Sequence, residues 1–313
     1  MKSITTYITE KLKITKNNIR YKQHKYFPET KEELKQIIKE RIEKEGPECD
    51  LNDIDVSKIT DMAHLFDQSN FNGDISNWNV SNVTNMQGMF INSKFTGENS
   101  DISNWDVSNV KIMGCMFWDS KFNSDISNWD VSNVEHMDSM FERSVFNGDI
   151  SKWNVSNVTD MSEMFDSSDF KGDISNWDVS NVTDMHQMFK SSKFTGENWD
   201  ISNWNVSNVE NMYDMFAYTD FNGDISNWDV SNVYNMYKMF YKSKFTGENG
   251  DISNWDVSNV TIMECMFENS KFNGDLSKWI LNKDCKNKDM FKNSPLTGQR
   301  KKYPKKITNR IKI

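Results

Sequence analysis

Hydrophobic positions along this chain follow a fixed order that returns every 24 or 27 residues, and a Trp marks each return. The markers are Trp78, Trp105, Trp129, Trp153, Trp177, Trp204, Trp228, Trp255 and Trp279, at steps of 27, 24, 24, 24, 27, 24, 27 and 24. Ile precedes the marker by three (Ile75, Ile102, Ile126), and Val follows by two and by five (Val80 and Val83, Val107 and Val110). Met follows at eight and eleven (Met86 and Met89), and Phe at twelve and seventeen (Phe90 and Phe95). A weaker copy has Ile54 in the Trp place, 24 residues before Trp78. The W-x-V centre alternates with period two and predicts a short strand. Val83, Met86, Met89 and Phe90, spaced 3, 3 and 1, share one helical face and predict a short helix. Gly and Asp in F-N-G-D or F-T-G-E-N-x-D predict a turn back. The expected fold class is therefore α/β, a solenoid of about ten strand–helix repeats, each sharing its apolar side with its neighbours.

Three segments follow from this reading: 1–49, the solenoid at 50–298, and a tail at 299–313. Residues 27–48 carry a helix signature, with Thr30 and Glu33 as a capping box and Gly46-Pro47 as the stop. Leu34, Ile37, Ile38 and Ile42 fall on one face, which is expected to lie over the open end of the first repeat as a helical cap. A second short helix is expected at about 3–13. The segment 1–49 reads as a plain cap or as an attachment segment that tethers the solenoid to a larger assembly. The tail reads as disordered, or as docking on the acidic body or another anionic surface.

Charge divides along the same boundaries. The net charge of −9 combines +4 over residues 1–49, +7 over 299–313 and −20 over the body. A body that acidic repels phosphate backbones, so no nucleic acid is expected on the solenoid. No run of 18 apolar residues is present, so no transmembrane segment is expected. Glu10, Lys11 and Lys13 interrupt any apolar stretch of signal-peptide length, and no Cys near the start could take a lipid. That pattern leads to the expectation of a cytoplasmic or virion-associated protein.

Polar places recur as well. Asn four after the marker (Asn82, Asn109, Asn133) can hydrogen-bond from coil to coil. Asp four before it (Asp74, Asp101, Asp125) reads as turn and cap chemistry, with rows of carboxylates gathering Ca²⁺ as the alternative. The Met and Phe columns read as core filling rather than as a Met-rich binding groove, because they recur in every copy. Cys115 and Cys265 hold the same repeat place six repeats apart, at least about 29 Å, which is far beyond disulfide reach. All four Cys read as free thiols. His24, His64, His136 and His186 occupy unmatched repeat positions and form no metal or triad set by spacing. No G-x-S-x-G, H-E-x-x-H or P-loop is present. The chain is thus expected to be no enzyme, with no cofactor and no metal.

The units D-I-S-N-W-D-V-S-N-V-T-D-M-x-x-M-F, at 173–189 and with small changes at each Trp, resemble the repeat of the BspA-type leucine-rich-repeat surface proteins, a repeat shared with mycoplasma surface lipoproteins. The likeness covers about 50–298. It implies a leucine-rich-repeat-like solenoid at the cell surface, used for adhesion and protein binding. The repeats also look similar to ones in phages of gut bacteria, which implies a virion home as the alternative.

Variation among the copies concentrates six to sixteen residues after the Trp, on the helix side. Only residues that differ between copies can read a specific partner, so a protein partner is expected there. Tyr213, Tyr218, Tyr234, Tyr237 and Tyr241 gather in two adjacent repeats, and Tyr is favoured at binding surfaces as a large, rigid, amphipathic side chain. Trp118 and Trp199, the two Trp outside the marker place, complete the candidate partner-binding set. The second expectation is a structural piece of a phage particle or surface appendage, anchored through 1–49.

Overall fold

The computed structural model describes residues 24–306, so the helix expected at about 3–13 lies outside the described residues. It overturns the strand–helix repeat. The stretch expected to be helical has a left-handed residue ten and fourteen places after each marker. Cys115 and Asp119, Ser139 and Arg143, and Glu163 and Ser167 all have φ between 48° and 57°. A right-handed helix cannot pass through a left-handed residue every fourth place. The chain makes consecutive turns instead: Met116 N–H donates to the Met113 carbonyl, Trp118 to Cys115 and Ser120 to Phe117, at 3.1, 3.1 and 3.2 Å. The W-x-V centre is not a strand either. Trp105 N–H closes a turn onto Ile102 at 3.1 Å, and Val110 closes one onto Val107 at 2.9 Å.

The α-helix described is α1 (Lys31–Glu45), outside the repeats. Paired strands are β1 (Ile280–Leu281) and β2 (Lys305–Lys306), which run parallel. The architecture is therefore not a strand–helix solenoid with a helical cap, nor a leucine-rich-repeat-like one. It is a stack of coils built from turns.

Three sets of hydrogen bonds join each coil to its neighbour. The first is a backbone ladder. In the coil that begins at Trp105, the N–H groups of Met113, Cys115, Phe117 and Asp119 donate to the carbonyls of His136, Asp138, Met140 and Glu142 in the following coil, at 2.9, 2.7, 3.0 and 2.8 Å. Single-residue parallel bridges mark the same ladder from Asp61 to Asn85, Ile112, His136 and on to Lys286. The second set is the marker indoles. Each Trp Nε1–H donates to a carbonyl of the coil before it, as Trp129 to Ile102 and Trp228 to Ile201, both at 2.9 Å. The third is the Asn row. Asn109 Nδ2 reaches the Ser81 carbonyl at 2.7 Å, and Asn133 and Asn157 repeat the contact with Ser108 and Ser132. The rows of Asp before the markers close local turns: Asp125 Oδ1 accepts from Ser127 N–H at 2.9 Å.

The core runs as columns between these ties. Phe90, Phe117, Phe141 and Phe165 stack coil on coil with ring centroids 5.6–5.9 Å apart. Within a coil, Phe117 lies 4.2 Å from Phe122. The markers line up in one column, with Trp105 and Trp129 6.4 Å apart and nearly parallel. One continuous apolar cluster extends from Leu34 in α1 to Leu296. The three-residue insertions keep this register. Asn99 and Asn249 hold the inserted loops by bonding the carbonyls of Asn72 and Asn222 at 2.9 and 2.8 Å.

α1 starts as its sequence predicts, with Thr30 Oγ1 accepting from Glu33 N–H, and ends at Gly46 with φ 92°. It buries Leu34 and Ile38, while Ile37 and Ile42 are only partly covered. Arg41, which the apolar pattern did not single out, is the third buried side chain. It bonds Asp53 at 2.6 Å, both oxygens of Glu45, and the Asp50 carbonyl. Burial alone would push the Asp53 carboxyl up, but Arg41 and Lys25 hold it below the usual range. A buried charge is tolerated when paired and fully hydrogen-bonded in this way.

Candidate interaction face

The turn ladder sets the side chains at nine, ten, thirteen and fourteen residues after the marker on one outer face, so equal repeat places form columns. Tyr213 and Tyr237 share the first column, with ring centroids 5.5 Å apart. Tyr218 and Tyr241 meet edge to face at 5.2 Å across adjacent coils. Two lysines thread between these pairs. Lys238 Nζ lies 5.0 Å from the Tyr237 ring and 5.1 Å from Tyr241, and Lys242 Nζ lies 5.1 Å from Tyr218 and 5.3 Å from Tyr241. Such contacts are worth about 0.5–1 kcal/mol each at exposed sites. Tyr218 is 48 % exposed. The result is an aromatic strip with cations between its rings, in which Tyr218 and Lys242 are exposed and Tyr213, Tyr237, Lys238 and Tyr241 are half-buried.

The remaining candidates lie off this strip. Tyr234 is exposed but sits at the sixth place after its marker, and makes no ring contact among the described residues. Trp118 lies several coils earlier, beside Glu142. Trp199 directly follows the insertion Gly196-Glu197-Asn198, and its indole N–H donates to the Lys171 carbonyl at 3.0 Å, in place of the tie that Asn99 and Asn249 make at the other two insertions. Its ring remains 38 % exposed.

Toward the N-terminal side the strip continues into an acidic stretch. His186 stacks 6.3 Å from Tyr213. Its ring nitrogens lie 2.8 Å from Asp184 and 3.1 Å from Glu163. The hydrogen bonds that its ring N–H groups donate to these two carboxylates push the His186 pKa up to about 10, so the imidazolium persists at neutral pH. His186 in turn holds the Glu163 carboxyl below its usual range, whereas burial pushes Glu142 and Asp166 up. Glu142, Glu163 and Asp166 bring carboxylate oxygens within 4.8 Å of one another, and a ring nitrogen of His136 lies as close to carboxylate oxygens of Asp138 and Asp160. Among the described residues these are the groups whose ligand atoms lie close enough together to hold a cation. His186 on Glu163, and Lys190 3.4 Å from Asp166, already supply positive charge to the first group. Comparing histidines with one another does not bring out the carboxylates that surround His136 and His186. Those carboxylates stand at repeat places equal to the histidine's or up to two away.

Among the described residues no helix is long and apolar enough to cross a membrane. A family model described as "Mycoplasma protein of unknown function, DUF285" matches residues 33–145, 94–199 and 191–303. No curated protein matches the chain, and no solved structure does.

Proposed function

The chain belongs to this Mycoplasma repeat family of unknown function, DUF285, and on that premise we propose that it is a non-enzymatic protein-interaction module that binds through the strip Tyr213, Tyr237, Lys238, Tyr241, Lys242 and Tyr218. The observation that carries the reading is the interleaving of lysines and tyrosines at the surface, with Tyr218 and Lys242 exposed and the other members half-buried. Tyr supplies large contact area at low entropic cost, and the ladder beneath holds each ring's backbone in place. The repeat columns also explain the form of the surface. One coil cannot present two stacked tyrosines, but two coils with Tyr at the same place can.

The test is a pull-down with the full chain from cells of the source and its surroundings. A partner identified on the parent protein should be lost when Tyr213, Tyr237 and Tyr241 are replaced by Ser, with the circular dichroism unchanged. Retention of every partner by that folded variant would refute the proposal. Replacing Tyr234 by Ser, off the strip, should leave binding intact.

A further inference from the structure

We infer that the open edge of the last coil is a second docking site, for an acidic peptide segment of another protein laid parallel to the coil. The ladder has a direction. Between eight and fourteen residues after each marker, every linking N–H points to the following coil and every linking carbonyl to the preceding one. Among the described residues no further coil follows the one that begins at Trp279. The N–H groups of Asn287, Asp289, Phe291 and Asn293 hold the four donor places and have no hydrogen-bond partner among the described residues. The other side of the same coil is covered. Leu276 N–H donates to the Lys302 carbonyl, Lys305 N–H donates to Trp279, and β2 pairs with β1. Tyr303 stands 4.6 Å from Phe291 and ends the Phe column. What remains open is a recess of about 440 Å³ beside Asn287, Asp289, Phe291, Lys292 and Tyr303.

Polarity and charge select the occupant. An edge that offers only donors cannot pair with the same edge of a second copy. A second copy docking head to tail would have to offer the carbonyls of Asp61, Ala63, Leu65 and Asp67. There α1 packs alongside, with Lys31 bonded to Asp61 at 3.0 Å, and Ala63 and Leu65 are buried. The occupant must therefore bring free carbonyls from elsewhere. It must also suit the charge of the last coil and the segment after it, where Lys286, Lys288, Arg300 and Lys301 are exposed and outnumber Asp284 and Asp289, while Lys292 is paired with Glu268 at 2.9 Å. Lysines on an edge repel basic and apolar strands and favour acidic ones. The protein itself shows a segment of this chemistry on an equivalent edge. The carbonyls of Asp160, Ser162, Met164 and Asp166 accept from Met137, Ser139, Phe141 and Arg143 at 3.1, 2.8, 3.0 and 2.8 Å.

That segment supplies the probe. A fluorescein-labelled peptide with the sequence of residues 156–168, SNVTDMSEMFDSS, is titrated into the full chain and followed by anisotropy. Saturable binding is expected at low salt. The double variant Lys286→Glu, Lys288→Glu should bind at least about tenfold more weakly. A control peptide with the three acidic residues replaced by Lys should not bind, which keeps the test decisive if the double variant misfolds. Hydrogen exchange should show new protection at Asp289, Phe291 and Asn293. No binding, equal binding of the control peptide, or protection confined to other coils would each overturn the inference. The strip variants at Tyr213, Tyr237 and Tyr241 should bind this peptide as the parent does, so the two sites fail independently.

Discussion

The indole N–H of Trp129 donates to the carbonyl of Ile102 at 2.9 Å, and that carbonyl also accepts Trp105 N–H at 3.1 Å. The Ile carbonyl is thus where one coil closes its own turn and where the next coil fastens to it. The same pairing joins Trp153 to Ile126 and Trp177 to Ile150, both at 3.1 Å. Replacing Trp153 by Phe removes the tie while keeping a ring in the column. It should cost about 1–3 kcal/mol, the loss of one buried hydrogen bond plus a small void. Urea unfolding followed by circular dichroism measures this as a lower midpoint.

Backbone handedness gives a second prediction. Ser191 is exposed, with φ 54°, and its N–H donates to Ala217 at 2.9 Å. Gly relieves the left-handed strain, so Ser191→Gly should stabilise by up to about 1 kcal/mol. A β-branched residue makes that conformation worse, so Ser191→Val should destabilise by more than about 1 kcal/mol. Equal midpoints for the two variants would contradict the turn geometry.

The His186 contacts predict a pH dependence. Its pKa rises from 6.5 unfolded to about 10 folded. The folded state binds the proton more tightly, so this stabilisation is full below pH 6.5 and is lost as the pH climbs through about 10. Glu163 and Asp184 shift downward, so their contribution is present above the ordinary carboxylate range and is lost on acidification. Thermal midpoints of the parent should therefore fall between pH 6.5 and 10, and His186→Gln should flatten that fall.

The thiols should be unreactive. Burial is the main cause that pushes Cys115 and Cys265 up from 9.0 to about 11, with Asp138 adding to it at Cys115 and Glu268 at Cys265. Alkylation depends on the thiolate, so at pH 8 both should react with iodoacetamide roughly 100-fold more slowly than in the urea-unfolded chain. Mass spectrometry of labelled peptides reads the two sites separately.

Much of the stack was legible in the sequence. The period, the single indole column and the Asn rows rest on side chains that repeat and bond to their own copies, so spacing reveals them directly. Local backbone shape was not. Val83, Met86, Met89 and Phe90 match a helical face, but a chain of short turns also points every third or fourth residue inward. The distinguishing signal was in the polar places. No Val, Ile or Thr occurs ten or fourteen residues after any marker, including Ile54 in the marker place. Left-handed backbone excludes such residues, whereas a helix only mildly disfavours them. At the candidate face, the shared repeat place of Tyr213 and Tyr237 foretold their contact. The threading of Lys238 and Lys242 did not follow from spacing, because it depends on how adjacent columns lean. Arg41 was missed because an apolar pattern cannot anticipate a buried cation whose partners, Asp53 and Glu45, lie on different segments.

Residues 74–127 closely match 224–277, a shift of 150 residues. Every coil fastens to its neighbours through the same few atoms, so a length of chain cut at equivalent places leaves two surfaces that already fit. Recombination between such blocks can lengthen or shorten the protein without refitting either terminus. The spacing between the two ends, and the number of columns on offer to a partner, can thus change by whole units in a single genetic event.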